Sequence, residues 1–178
     1  MPFTIDLVAH MDAGDRKAWP GDQDERPLVE LGRRQAEALA DALGSEAIAA
    51  VYAGTALRCR QTLEPLAERL GLQVGVMPEL GEKQAWRAPD GWEGSTWDAA
   101  FGAGMMAAAI EKLRTLYPNG RVVACSHGHT IPAYVAYQFA LRGLPDMPQL
   151  QYRGQWYRVR FVDGRAGIEL IAAADFPR

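Results

Sequence analysis

Short apolar runs set between stretches of helical periodicity constrain this chain more than any other feature. Residues 3–9 (Phe3-Thr4-Ile5-Asp6-Leu7-Val8-Ala9) form one such run, and Val122-Val123-Ala124-Cys125 forms another. Runs this short, bounded by polar sequence, read as buried strands. Between them the pattern predicts helices over 29–43 and 56–70, closed by Gly44 and Gly71. It also predicts strands over 48–52 and 73–77, then helices over 97–116 and 131–141. Strands that alternate with helices imply an α/β fold, a three-layer αβα sandwich with a mostly parallel sheet. Residues 155–162, the Asp163-Gly164 turn and residues 166–172 read as a C-terminal hairpin that adds antiparallel strands. A length of 178 residues is expected to make a single domain over 1–178.

Two stretches interrupt the alternation. Residues 12–27 carry Gly14, Pro20, Gly21 and many charges, and residues 78–96 are punctuated by Pro78, Gly81, Pro89, Gly91 and Gly94. A loop as long as the second inside a domain is often a lid or a binding loop. With the helix after it, the stretch from about 78 to 117 is expected to form a substrate cap. Trp86, Trp92 and Trp97 lie along it. Aromatics serve packing first, so Trp97 is expected in the core. Trp86 is the better substrate contact, and Arg87 beside it can take a second anionic group.

Bulk composition excludes more than it assigns. Net charge is −3 and charged residues are 23%, so no basic excess points to nucleic acid. No run reaches the roughly 18 apolar residues that read as a membrane span, and the N-terminus lacks a signal-like segment. Cys59 and Cys125 have neither a disulfide framework nor a metal-knuckle spacing; this fits a cytoplasmic protein.

All three histidines sit at the ends of apolar runs. His10 ends the first, and His127 and His129 follow Val122–Ser126. The carboxyl ends of parallel strands open onto the ligand crevice, so two such junctions imply one shared site. Imidazole is suited to proton or phosphoryl transfer near neutral pH. A third junction, Ala53-Gly54-Thr55-Ala56-Leu57-Arg58-Cys59-Arg60-Gln61-Thr62, puts Arg58 in the first turn of a helix, where anions are favoured.

These segments, in order, resemble the histidine phosphatase superfamily, also called phosphoglycerate mutase-like. Leu7-Val8-Ala9-His10-Met11-Asp12-Ala13 stands where that family has an Arg-His-Gly motif. Arg26-Pro27-Leu28 through Gly32-Arg33-Arg34-Gln35-Ala36 is similar to its Pro-Leu-Thr-x-x-Gly-x-x-Gln-Ala helix start, and Tyr52–Thr62 to its Tyr-Ser-Ser-x-x-x-Arg-x-x-Gln-Thr segment. Glu79-Leu80-Gly81-Glu82 with Trp92-Glu93-Gly94, and Cys125-Ser126-His127-Gly128, complete the match. The resemblance implies a phosphoglycerate mutase-like fold and a phosphatase that hydrolyses a small phosphorylated metabolite. By the same resemblance it needs no metal and no cofactor. His10 then matches the nucleophile that becomes phosphohistidine, and Arg58 the residue that grips the phosphoryl oxygens. Gly128 belongs to the phosphate-binding set. His127 matches a second pocket histidine, which when protonated would stabilise charge on the transferring group, and Glu82 the acid that serves the leaving group and then water.

Two departures fall inside the signature. Ala9 stands in place of the family's arginine and Met11 in place of its glycine. Ala9 removes a phosphate clamp, and losing one such donor costs about 10²–10³ in rate. Met11 is expected to crowd the phosphate. Arg16, Lys17 and His129 are the candidates to replace the lost charge. The alternative function is a catalytically impaired homologue that serves as an anion-binding or regulatory module.

Overall fold

A computed structural model describes residues 2–82, 94–144 and 147–178, with the side chains of 94–98 excepted. The order is β1 (Thr4–Ala9), α1 (Glu30–Leu43), β2 (Ala50–Ala53), α2 (Leu57–Leu70) and β3 (Val74–Val76). There follow α3 (Gly94–Leu116), β4 (Arg121–Ser126), α4 (Thr130–Ala140), β5 (Gln155–Val162) and β6 (Arg165–Ala172). Short 3₁₀ turns occupy Gln23–Glu25 and Pro78–Leu80. Trp86, Arg87 and Trp92, and the side chain of Trp97, lie outside the described residues.

The six strands form one sheet in the order β3-β2-β4-β1-β5-β6. The pairs β1·β4, β2·β4 and β2·β3 are parallel. The pairs β1·β5 and β5·β6 are antiparallel. The expected mostly parallel sheet with a C-terminal antiparallel hairpin is what the chain forms. The start of β2 differs from the hydrophobic reading by two residues. Pairing, Ala50 to Val122 through Ala53 to Cys125, sets its bounds. Likewise α3 begins at Gly94 rather than 97, as helix ends are poorly marked by periodicity.

Alternation along each central strand builds the two outer layers. Phe3, just before β1, and Ile5 and Leu7 of β1, with Val122 and Ala124 of β4, pack against Met106, Ile110 and Leu113 of α3 and Ile131 and Val135 of α4. Val8, Val123 and Cys125 point the other way, onto Leu39 and Leu43 of α1 and Leu63 and Leu66 of α2. Successive strand side chains face opposite sides, so a strand apolar at both parities must be covered twice. In the stretch expected to cap the site, α3 contributes Ala103, Met106, Ala109, Ile110 and Leu113 to the core beneath it. Residues 83–93 lie outside the described residues.

One polar residue interrupts β1. Asp6 is fully buried and accepts hydrogen bonds from Trp156 Nε1 (2.9 Å), Arg158 Nε (2.8 Å) and Arg121 Nε (2.7 Å). These donors come from β4 and β5, the two neighbours of β1, so the carboxylate ties three strands together. Removing one partner of a buried pair leaves the others desolvated and uncompensated. Asp6→Ala is expected to lower unfolding free energy by about 3–5 kcal/mol, measured by urea denaturation.

Candidate active site

Parallel pairing of β1 with β4 ends on Ala9 opposite Ser126, and His10 N donates to Ser126 O (2.9 Å). The residues that follow both strands therefore emerge side by side. The His10 and His127 rings lie 5.4 Å apart, near edge-to-face at 72°. The His127 and His129 rings lie 5.9 Å apart. The structure thus brings both histidine junctions into one place.

The His10 tautomer follows from its partner. Nδ1 lies 2.8 Å from Met11 O, and a carbonyl oxygen only accepts, so Nδ1 carries the proton and Nε2 keeps its lone pair. Burial of the ring lowers the imidazole pKa to about 4; the Met11 bond opposes this, and the charges of Arg153, Arg58 and Arg26 add to it. His127 is pushed further down, to about 2, by burial first and then by His10, Arg58, His129 and Arg16. The charge-stabilising role that the resemblance gives His127 needs a protonated ring, whereas burial and the neighbouring cations favour the neutral one. Arg58 Nη2 lies 3.4 Å from His127 Nδ1. Arginine only donates, so Nε2 carries the His127 proton and faces Cys59 Sγ at 3.7 Å.

Arg58 is 1% exposed and leads out of the first turn of α2. Its Nη2 donates to Glu82 Oε2 at 2.9 Å, and its Nη1 donates to the Gln23 carbonyl. Glu82, 12% exposed in its side chain, is the hub. Its Oε1 takes Arg16 Nη1 at 3.2 Å and faces His129 Nε2 at 3.9 Å; Oε2 lies 3.8 Å from His127 Nδ1. Ser126 Oγ donates to Leu80 O (2.7 Å), which anchors the chain two residues before Glu82. Gly54 permits that approach, since a Cβ there would fall 2.7 Å from Leu80 O.

The loop over residues 12–27 is docked at several points. Thr62 Oγ1 accepts from Met11 N (2.9 Å), Gln35 Oε1 from Asp12 N (3.0 Å) and Gln61 Oε1 from Leu28 N (2.8 Å). Gly32 lets α1 press against it, because a Cβ there would lie 1.9 Å from Asp12 O.

The two departures from the signature therefore read differently in three dimensions. Met11 was expected to crowd the anion. Instead its side chain is buried with Leu28 and Leu39 in the α1/α2 core, and only its backbone faces His10. Ala9 packs its methyl towards the opposite core and brings no charge. Of the candidate replacements, Arg16 reaches Glu82 and His129 faces it, although their side chains are 59% and 63% exposed. Lys17 is exposed, and its backbone N–H donates to Asp15. Gly128 is exposed with open space around its Cβ position. Among the described residues, no group of three or more His, Cys, Asp or Glu has a metal-holding arrangement. Nor is any helix there long and apolar enough to cross a membrane.

Two cations escaped sequence reasoning. Arg26 is buried, and its Nη1 donates to Ala13 O (2.8 Å) and Gly14 O (2.9 Å). It stands in the quoted Arg26-Pro27-Leu28 motif, so its signal was present. Arg153 donates through Nη1 to the His10 carbonyl. Nothing local marks Arg153; its approach depends on β5 lying antiparallel beside β1.

Comparison with known proteins gives the family and the fold. The sequence model of the histidine phosphatase superfamily (branch 1) matches residues 12–103, beginning just after His10. This chain belongs to that family. The 8-oxo-(d)GTP phosphatase of Mycolicibacterium smegmatis is 33% identical over 132 residues, which are 74% of this chain and 36% of that protein. The chain thus spans about a third of the length of that curated relative. Among solved structures, Bacillus stearothermophilus YhfR superposes with a TM-score of 0.74 at 15% identity, covering 99% of this chain and all of that one. The mycobacterial glucosyl-3-phosphoglycerate phosphatase with VO3 bound gives 0.67 at 22%, covering 96% and 99%. The protein histidine phosphatase SixA with tungstate gives 0.67 at 20%, covering 96% and 97%. At these identities the likeness is one of fold.

The lowered histidine pKa values fix the sign of a pH effect. Above 6.5 both folded and unfolded chains hold neutral imidazoles. Below it the unfolded chain takes up protons that the folded pocket refuses, so stability falls as pH falls. For His10 the loss runs between about 6.5 and about 4, at up to about 1.4 kcal/mol per pH unit. Urea unfolding at stepped pH is expected to show this slope, and His10→Ala is expected to reduce it to the part that His127 contributes.

Proposed function

We propose that this protein is a metal-independent phosphatase of small phosphorylated substrates, acting through a phosphohistidine on His10. One observation carries the reading: the Met11 carbonyl holds the His10 Nδ1 proton, leaving a neutral Nε2 lone pair on a ring that feels the charges of Arg153, Arg58 and Arg26. Arg58, Arg16, Arg26 and Arg153 stand against the carboxylates of Glu82 and Asp12 around it. Such an excess of fixed positive charge suits a phosphoryl group.

In this reading the incoming phosphoryl group takes the place of the Glu82 carboxylate on Arg58. His10 Nε2 attacks phosphorus as the P–O bond to the leaving group breaks. Glu82, released from Arg58, takes the proton of the phosphate monoanion and delivers it to the departing oxygen. Glu82 then removes a proton from water, which attacks phospho-His10 and releases inorganic phosphate. The charge on Arg58 holds the transferring oxygens, and the buried His127 ring lines the pocket beside it. Arg58 and His127 are buried, which raises the worth of each such contact.

The relative named as an 8-oxo-(d)GTP phosphatase makes nucleoside triphosphates the first substrates to try, beside simple phosphomonoesters. A second reading has its own observation in Ala9: an anion-binding module with little turnover. p-Nitrophenyl phosphate, metabolite phosphates and nucleoside triphosphates decide between them. Turnover is expected in the parent, unchanged by chelator, and at least about 10³-fold lower in His10→Ala. Glu82→Gln is expected to accumulate a species heavier by one phosphoryl group, seen by intact-protein mass spectrometry. Turnover that survives His10→Ala would remove the nucleophile assignment. A silent parent that gains activity as Ala9→Arg would favour the module.

A further inference from the structure

We infer that Arg153 is a phosphate-binding residue of this site and supplies from the segment just before β5 the guanidinium that Ala9 fails to supply from β1. This rests on the anion-pocket reading above. Four observations converge on it.

The first is register. β5 runs antiparallel beside β1, with Val8 opposite Trp156. The chain just before β5 is thereby carried to the level of His10, and the Arg153 guanidinium reaches the His10 main-chain carbonyl. The second is charge. Among the cations that lower the His10 pKa, Arg153 acts most strongly, ahead of Arg58 and Arg26.

The third is availability. Arg58 and Arg16 both bond Glu82, and Arg26 is turned onto the carbonyls of Ala13 and Gly14. Arg153 uses one N–H on a carbonyl and forms no salt bridge within 4.0 Å among the described residues. The residue is exposed, so a ligand can reach its remaining donors. A guanidinium carries five N–H groups in a planar fork, and one bond to a carbonyl leaves an edge for phosphate oxygens.

The fourth is a fixed mount. Gly154 holds φ at 99°, with the Phe176 ring filling the place of a Cβ at 2.3 Å. Ala173 N donates to Gly154 O at 2.9 Å. The backbone that bears Arg153 is therefore pinned by the C-terminal segment. A charged group so held costs little reorganisation when an anion arrives.

Calorimetry with inorganic phosphate and with tungstate tests the inference without relying on turnover, and kcat/KM for p-nitrophenyl phosphate is read beside it. Arg153→Ala is expected to weaken anion binding at least tenfold and to lower kcat/KM by about 10²–10³, the cost of one preorganised donor. Arg153→Lys is expected to keep most of the binding. In the Arg153→Ala background, Ala9→Arg is expected to restore anion binding to within tenfold of the parent. The unfolding midpoint of each variant is measured to confirm that it is folded.

Binding and turnover in Arg153→Ala within twofold of the parent overturn the inference. So does a loss that neither Arg153→Lys nor the folded double variant repairs, which would make Arg153 a prop for the His10 backbone. A parent that binds tungstate through Arg153 but turns nothing over sustains the inference while removing the phosphatase reading. A parent that turns substrate over with Arg153 irrelevant does the reverse. A parent that does neither removes both.

Discussion

The parallel ladder between β1 and β4 is the interaction on which the rest of this protein depends. It runs from Thr4 opposite Arg121 to Ala9 opposite Ser126, at the centre of a six-stranded sheet. Because it is parallel, both strands release their chains at the same edge. Because it is central, helices cover it on both faces and dry the residues that emerge. His10 and His127 are neighbours for the first reason and neutral for the second. The buried Asp6 supports the same ladder from within, by binding arginines of β4 and β5.

Around that edge the charge is arranged asymmetrically. Several guanidiniums converge, and one carboxylate, Glu82, touches more of the pocket than any other acid named here. Glu82 therefore sits where an anionic ligand would gain most. An anion arriving at this edge would compete with Glu82 for Arg58, on terms set by local charge rather than by bulk net charge, which is slightly negative. Cations gathered in a desolvated site interact far more strongly with an anion than the same cations spread over a surface.

The signature motif shows what a linear reading captures and what it misses. Ala9 was legible as a lost cation, and it is one. Met11 was read as bulk in the pocket, but the chain leaves strand alternation after β1: Met11 shares the parity of Ile5 and Leu7, yet its side chain lies in the α1/α2 core. A one-dimensional motif does not carry that direction. The loop over 12–27 was legible only as irregular. Its docking depends on Thr62, Gln61 and Gln35, which belong to other helices. Arg153 was invisible because its partner lies 143 residues away in sequence.

The sequence by itself determined the layered α/β plan, the hairpin at its end and the two histidine junctions. Each is written in local periodicity and in turn residues, which act over a few positions. Only the tertiary structure decided which nitrogen of His10 is free, that both pocket histidines are neutral, where Met11 points and which arginines surround the site. Those properties arise from burial and from charges on distant segments. They exist only once β5 and the loop over 12–27 have closed around the β1·β4 edge.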